Sequence, residues 1–119
     1  MENKELREIR PIILTDTESG EKYTLEFTRD SVAYAQYKGF VIDDVNVKPM
    51  VAIPDLFRYA FRAHDKNIST MKIDKLFDEL GGLPDGMLER LVELYYKPYN
   101  CLFNADEGET KNAKVTVEL

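Results

Sequence analysis

At 119 residues, with 44% apolar and 32% charged side chains, the chain is long enough to bury a core of its own and too mixed to be fibrous or disordered. Its net charge of −6, with 22 acids interleaved among 16 basic residues, opposes the counterion release that non-specific nucleic-acid binding depends on. The single cysteine, Cys101, excludes an internal disulfide and a thiolate zinc cluster, and no apolar run approaches the ~20 residues needed to cross a bilayer.

Residues 1–8 are charged and read as a flexible N-terminus without the apolar stretch of a signal peptide, so the expected compartment is the cytoplasm. From Ile9 onward, RPIILTD and EKYTLEF are rich in β-branched and aromatic residues and flank TESG, which predicts a β-hairpin over 9–28. In its second arm Tyr23, Leu25 and Phe27 alternate with Thr24, Glu26 and Thr28, so one face sits on a core while the other stays wet. Pro11 cannot donate to a ladder, so its strand is an edge or begins just after it.

A helix over about 29–39 follows, capped by Thr28 or Asp30 and ended by Gly39, with Val32, Ala33, Tyr37 and Phe40 as its apolar face. VIDDVNVKP reads as extended or irregular, because Val and Ile are poor helix formers and Lys48 precedes a proline. The next helix is placed at about 54–65, starting at Pro54; the alternative is a start near Pro49 with a kink at Pro54. Ile53, Phe57, Ala60, Phe61 and His64 form its apolar side, while Arg58 and Arg62 point to solvent.

Ser69 or Thr70 caps a helix over about 70–81, where Ile73, Leu76, Phe77 and Leu80 give an amphipathic pattern ended by Gly81-Gly82. The last helix, about 84–104, is the organising core element: Met87, Leu88, Leu91, Val92, Tyr95, Tyr99, Leu102 and Phe103 fall on one side of it. Its interior proline, Pro98, predicts a kink between Tyr96 and Asn100. Residues 105–119 are a polar tail whose Lys114-Val115-Thr116-Val117 alternation also permits a short strand added to an edge, in this chain or a neighbour. Together these elements predict an α+β fold, an N-terminal antiparallel β-hairpin packed on a bundle of about four α-helices, as one domain over 9–104.

Candidate chemistry is sparse. His64 is the single histidine and reads as structural. Asp43-Asp44 and Asp78-Glu79 lack the spacing of a calcium loop, and Gly81 to Gly86 lacks the lysine of a phosphate-binding loop. Cys101 reads as a buried thiol. No catalytic residue, metal site or cofactor is assigned. The unusual feature is aromatic: seven tyrosines and six phenylalanines with no tryptophan. Tyr95, Tyr96 and Tyr99 cannot all face one seam, since Tyr96 lies about 100° around the helix from Tyr95. Either at least one ring sits at a contact or the apolar face is simply wide. Tyr59, Tyr95, Tyr96, Tyr99 and Phe103 are the partner-binding candidates.

YTLEFTRDSVAYAQYKGF, PDLFRYAFRAHDKNIS and MKIDKLFDELGGLPDGMLERLVELYYKPY, in that order, resemble the tail assembly chaperones of long-tailed bacteriophages and prophages. The resemblance implies a small acidic, non-enzymatic factor in the bacterial cytoplasm that binds and solubilises the tape-measure protein and helps recruit tail-tube subunits. It also implies self-association, with neither nucleic acid nor membrane as partner. Two readings of other classes stand beside it: a structural virion component, such as a head–tail joining or tube-associated protein, and a small host regulatory adaptor.

Overall fold

Hairpin formation is driven by alternation on both arms. In the computed structural model, which describes residues 8–103 and 114–119, β1 (Ile12–Thr15) pairs antiparallel with β2 (Lys22–Leu25), in a register that sets Ile12 opposite Leu25 and Leu14 opposite Tyr23. That register puts Tyr23 and Leu25 on the core side, continued by Phe27. β1 begins just after Pro11, where the missing N–H no longer matters. Asp16 closes the turn, its Oδ1 accepting from the Glu18 N–H at 3.0 Å, and Lys72 Nζ reaches Asp16 Oδ2 at 3.1 Å.

Among the described residues five α-helices follow: α1 (Arg29–Tyr37), α2 (Asp44–Val47), α3 (Pro49–Tyr59), α4 (Thr70–Leu80) and α5 (Met87–Tyr96), with a 3-10 helix (Lys97–Cys101) continuing α5. The molecule is therefore an α+β fold, a two-stranded antiparallel hairpin with a set of helices packed on it. Its core joins Leu25 and Phe27 of the hairpin arm to Leu56 and Phe57 of α3 and Leu91, Leu94 and Tyr95 of α5. None of the helices among the described residues is long and apolar enough to cross a membrane.

Several sequence expectations need correction. Thr28 caps α1 in a reciprocal box with Ser31, but the buried residue of its middle turn is Ala35; Ala33 and Tyr37 are exposed. The stretch expected to be irregular contains α2, a single turn whose Lys48 N–H donates to the Asp44 carbonyl at 2.7 Å. α3 starts at Pro49 and passes through Pro54, the alternative set aside above, rather than running over 54–65. Pro49 occupies the first turn, where its missing N–H is no loss, and Ala52 takes up the Lys48 carbonyl at 2.9 Å.

α3 also ends earlier than expected. The Ala60 carbonyl accepts from the Glu26 N–H at 3.0 Å, the hairpin competing with the next helical turn, and the chain leaves through turns to Asp65. His64 is consequently exposed, not part of an apolar side. α4 keeps its predicted cap, Ser69, and its left-handed stop, Gly81. The last helix is shorter than 84–104: Gly86, at φ +86, lies outside helical space, so Pro84 belongs to a turn and α5 starts at Met87. At its far end the expected kink is a change of helix type, from α to 3-10 at Lys97.

The expected flexible N-terminus, residues 1–8, lies outside the described residues except for Glu8, and most of the polar tail, through residue 113, also lies outside them. Residues 114–119 are described, are exposed, and form no strand within the chain.

Candidate interaction surface

A proline inside a helix removes one amide donor and crowds the carbonyl four residues back; α3 absorbs this at Pro54, whereas α5 gives way one residue before Pro98. The backbone tightens to three residues per turn, and side chains three apart then lie in one row. Tyr96, Tyr99 and Leu102 have that spacing, and the rings of Tyr96 and Tyr99 are 5.4 Å apart. Had the α-helix continued, Leu102 and Phe103 would have stacked above Tyr95 and faced the core. Instead Tyr96 is 42% exposed, Leu102 54% and Phe103 81%. Cys101 is carried outward by the same change, and its thiol is exposed rather than buried.

Beneath this row lies Tyr95, fully buried, its ring 5.2 Å from Phe27 and 5.6 Å from Phe40. Gln36 on α1 donates from Nε2 to both Tyr95 Oη at 3.2 Å and Tyr99 Oη at 3.0 Å. Loss of water contact pushes the Tyr95 phenol up to about 12, against the lowering effect of the Gln36 amide. Burial, and then the negative charge of the Asp43 carboxylate, also raise the Tyr96 phenol.

The five candidate residues therefore separate. Tyr96, Tyr99 and Phe103 belong to one surface segment, with Tyr99 half-buried. Tyr95 lies below that surface and holds it in place. Tyr59 sits apart, half-buried between Phe40 at 5.6 Å and Tyr34 at 6.2 Å. The Arg62 guanidinium covers the Tyr34 ring at 3.5 Å, a cation over a π face rather than a side chain in free solvent. Arg58 is likewise engaged: its Nε and Nη1 donate to Asp74 at 2.8 Å and Asp55 at 2.6 Å, joining α3 to α4. Sequence reasoning missed Gln36. Gln36 looked like a solvated polar residue, and only the tertiary approach of α1 to the 3-10 helix gives its amide two phenols to serve.

The remaining polar candidates have structural partners. His64 Nε2 is 2.7 Å from Glu26 Oε1, an exposed pair that ties the α3 exit to the hairpin. Asp44 pairs with Lys48 at 3.9 Å and Glu79 with Lys75 at 3.7 Å, each one helical turn apart. Among the described residues no group of three or more His, Cys, Asp or Glu side chains is gathered as a metal ion would need. An open groove of about 840 Å³ lies between the start of β1 and α5, with Ile13, Arg10 and Arg90 in its walls.

Comparison with curated proteins and with solved structures gives no match to this chain. A family model described as a domain of unknown function, DUF5055, matches residues 3–119, nearly the whole sequence, and the protein belongs to that family.

Proposed function

We propose that the protein is a tail assembly chaperone of a long-tailed phage or prophage, acting in the bacterial cytoplasm by binding the tape-measure protein and helping to recruit tail-tube subunits. The observation that supports this reading most is the apolar row of Tyr96, Tyr99 and Leu102, extended by Phe103, in which Tyr96, Leu102 and Phe103 are exposed and Tyr99 is half-buried, on an otherwise acidic domain. A contiguous apolar surface rimmed by polar groups is the kind of feature that covers another molecule's apolar stripe. A long helical client with such a stripe aggregates unless it is covered, and a row of rings held from below by Tyr95 and Gln36 is suited to lie along it. Self-association belongs to the same reading. It involves no bond-making chemistry and no cofactor.

Coexpression with a helical tape-measure fragment tests it. The wild-type chain keeps the fragment in the soluble fraction and co-purifies with it, and a fragment that precipitates regardless of the chain would refute the reading. Retention of the protein in purified particles would instead identify a structural virion component.

A further inference from the structure

The hairpin has two edges, and they differ. The pair Asp16 and Glu21 is hydrogen-bonded, with Asp16 N–H donating to the Glu21 carbonyl at 2.8 Å. In an antiparallel ladder bonded and non-bonded pairs alternate, so Leu14 with Tyr23 and Ile12 with Leu25 are the bonded pairs. The N–H and C=O groups of Ile13 and Thr15 therefore point away from β2. On the other edge, the outward N–H of Glu26 is taken by Ala60 at 3.0 Å. On the β1 edge, no backbone group or side chain among the described residues bonds to Ile13 or Thr15. The carbonyls leading into the strand are held, Arg10 by Arg90 at 3.2 Å and Ile9 by Lys97 at 3.4 Å, so the open stretch begins with β1 itself.

The sequence holds one further segment with strand alternation, Lys114 to Leu119, KVTVEL. Lys114 and Val115 form a bend, none of the six pairs with a strand among the described residues, and Val115 is 79% and Val117 78% exposed. An uncovered run of alternating apolar side chains and an uncovered strand edge on one molecule are complementary. Ile12 and Leu14 are only half-buried, and among the described residues the sheet stops at β1. A third strand that places Val115 and Val117 beside them continues the core face and leaves Lys114, Thr116 and Glu118 on the wet side.

We propose that the free edge of β1 accepts residues 114–119 of a second copy, which add to the hairpin as a third strand. Donor and acceptor are different surfaces of one chain, so the contact is head-to-tail and builds rings or open chains rather than only closed pairs. The inference does not depend on the chaperone reading.

Sedimentation of the full chain over a range of concentrations tests it with two variants. Ile13→Pro removes an outward N–H without breaking a β1–β2 bond, and a Val115→Asp/Val117→Asp double variant disables the donor. Wild type associates with increasing concentration, and each variant associates at least tenfold more weakly. Mixed together, the acceptor-blocked and donor-blocked chains form a one-to-one pair through the one intact donor and the one intact acceptor. A wild type that stays monomeric, variants that associate as wild type does, or a mixture that fails to pair each overturns the proposal. Should Ile13→Pro not fold, amide exchange of wild type decides: protection of Ile13 and Thr15 that rises with concentration supports a second copy, whereas concentration-independent protection or none overturns it.

Discussion

The Tyr95 hydroxyl accepts from Gln36 while its ring meets Phe27, Phe40, Tyr96 and Tyr99. Truncating such a residue removes both apolar burial and the support of the surface above it, so Tyr95→Ala is expected to cost about 3–5 kcal/mol in urea unfolding. Tyr95→Phe keeps the ring and loses one hydrogen bond, with Gln36 still donating to Tyr99, and should cost about 1 kcal/mol. A second prediction concerns alkali. Tyr23, through its hydrogen bond to Glu21 and then burial, and Tyr95, through burial, are both raised to about 12 from the usual 10.0. The folded chain therefore holds these protons where the unfolded chain has released them. Their stabilising contribution is complete below about pH 10 and lost as pH rises through about 12. Denaturant midpoints should fall across that window, and tyrosinate absorbance should appear together with unfolding. The sequence made the separation of Tyr95 from Tyr96 legible, since adjacent helical residues diverge by about 100°. It gave no hint of Gln36, whose role comes from residues 59 and 63 positions away.

At the scale of elements, the ends of helices decide what local sequence can settle. α1 and α4 have side-chain caps, Thr28 and Ser69, accepting from Ser31 N–H and Lys72 N–H at 3.1 Å each. Thr28→Ala should cost about 1 kcal/mol of stability by urea unfolding, because it leaves the Ser31 N–H of the first turn without its side-chain acceptor while the reciprocal Thr28 N–H to Ser31 Oγ bond remains. Gly81→Ala should cost a similar amount for a different reason. At φ +71 a Cβ is strained by its own backbone although nothing lies within 4 Å of it. These signals sat in the sequence and placed α4 within a residue. α2 and the early end of α3 were not legible in the same way: α2 is one turn of residues with weak helix preference, and α3 stops where Glu26 from the hairpin takes the Ala60 carbonyl. The start of α5 was readable in principle, since Gly86 breaks helical geometry more firmly than Pro84 begins it.

Across the whole molecule, the α+β class followed from the order of alternating and three-to-four periodic segments, and the partition of core from surface on α5 did not. Periodicity carried past Pro98 sent Leu102 and Phe103 inward, whereas the 3-10 turn sends them out. The surface that this creates combines exposed rings with a net charge of −6 on the chain. If client binding is carried by apolar burial, raising salt should leave it unchanged or strengthen it, whereas binding carried by exposed ion pairs would weaken as their charges are screened. Among the described residues neither the Tyr96 nor the Phe103 side chain makes a hydrogen bond, and Tyr96→Asp and Phe103→Asp should each leave the urea midpoint close to that of wild type. Met71, exposed on α4, offers a control away from the 3-10 helix. The most direct measurement is the soluble fraction of a tape-measure fragment coexpressed with wild type, with Tyr96→Asp/Phe103→Asp or with Met71→Asp. Loss of client solubility with the double variant alone is the predicted result, and equal performance of all three chains would contradict it.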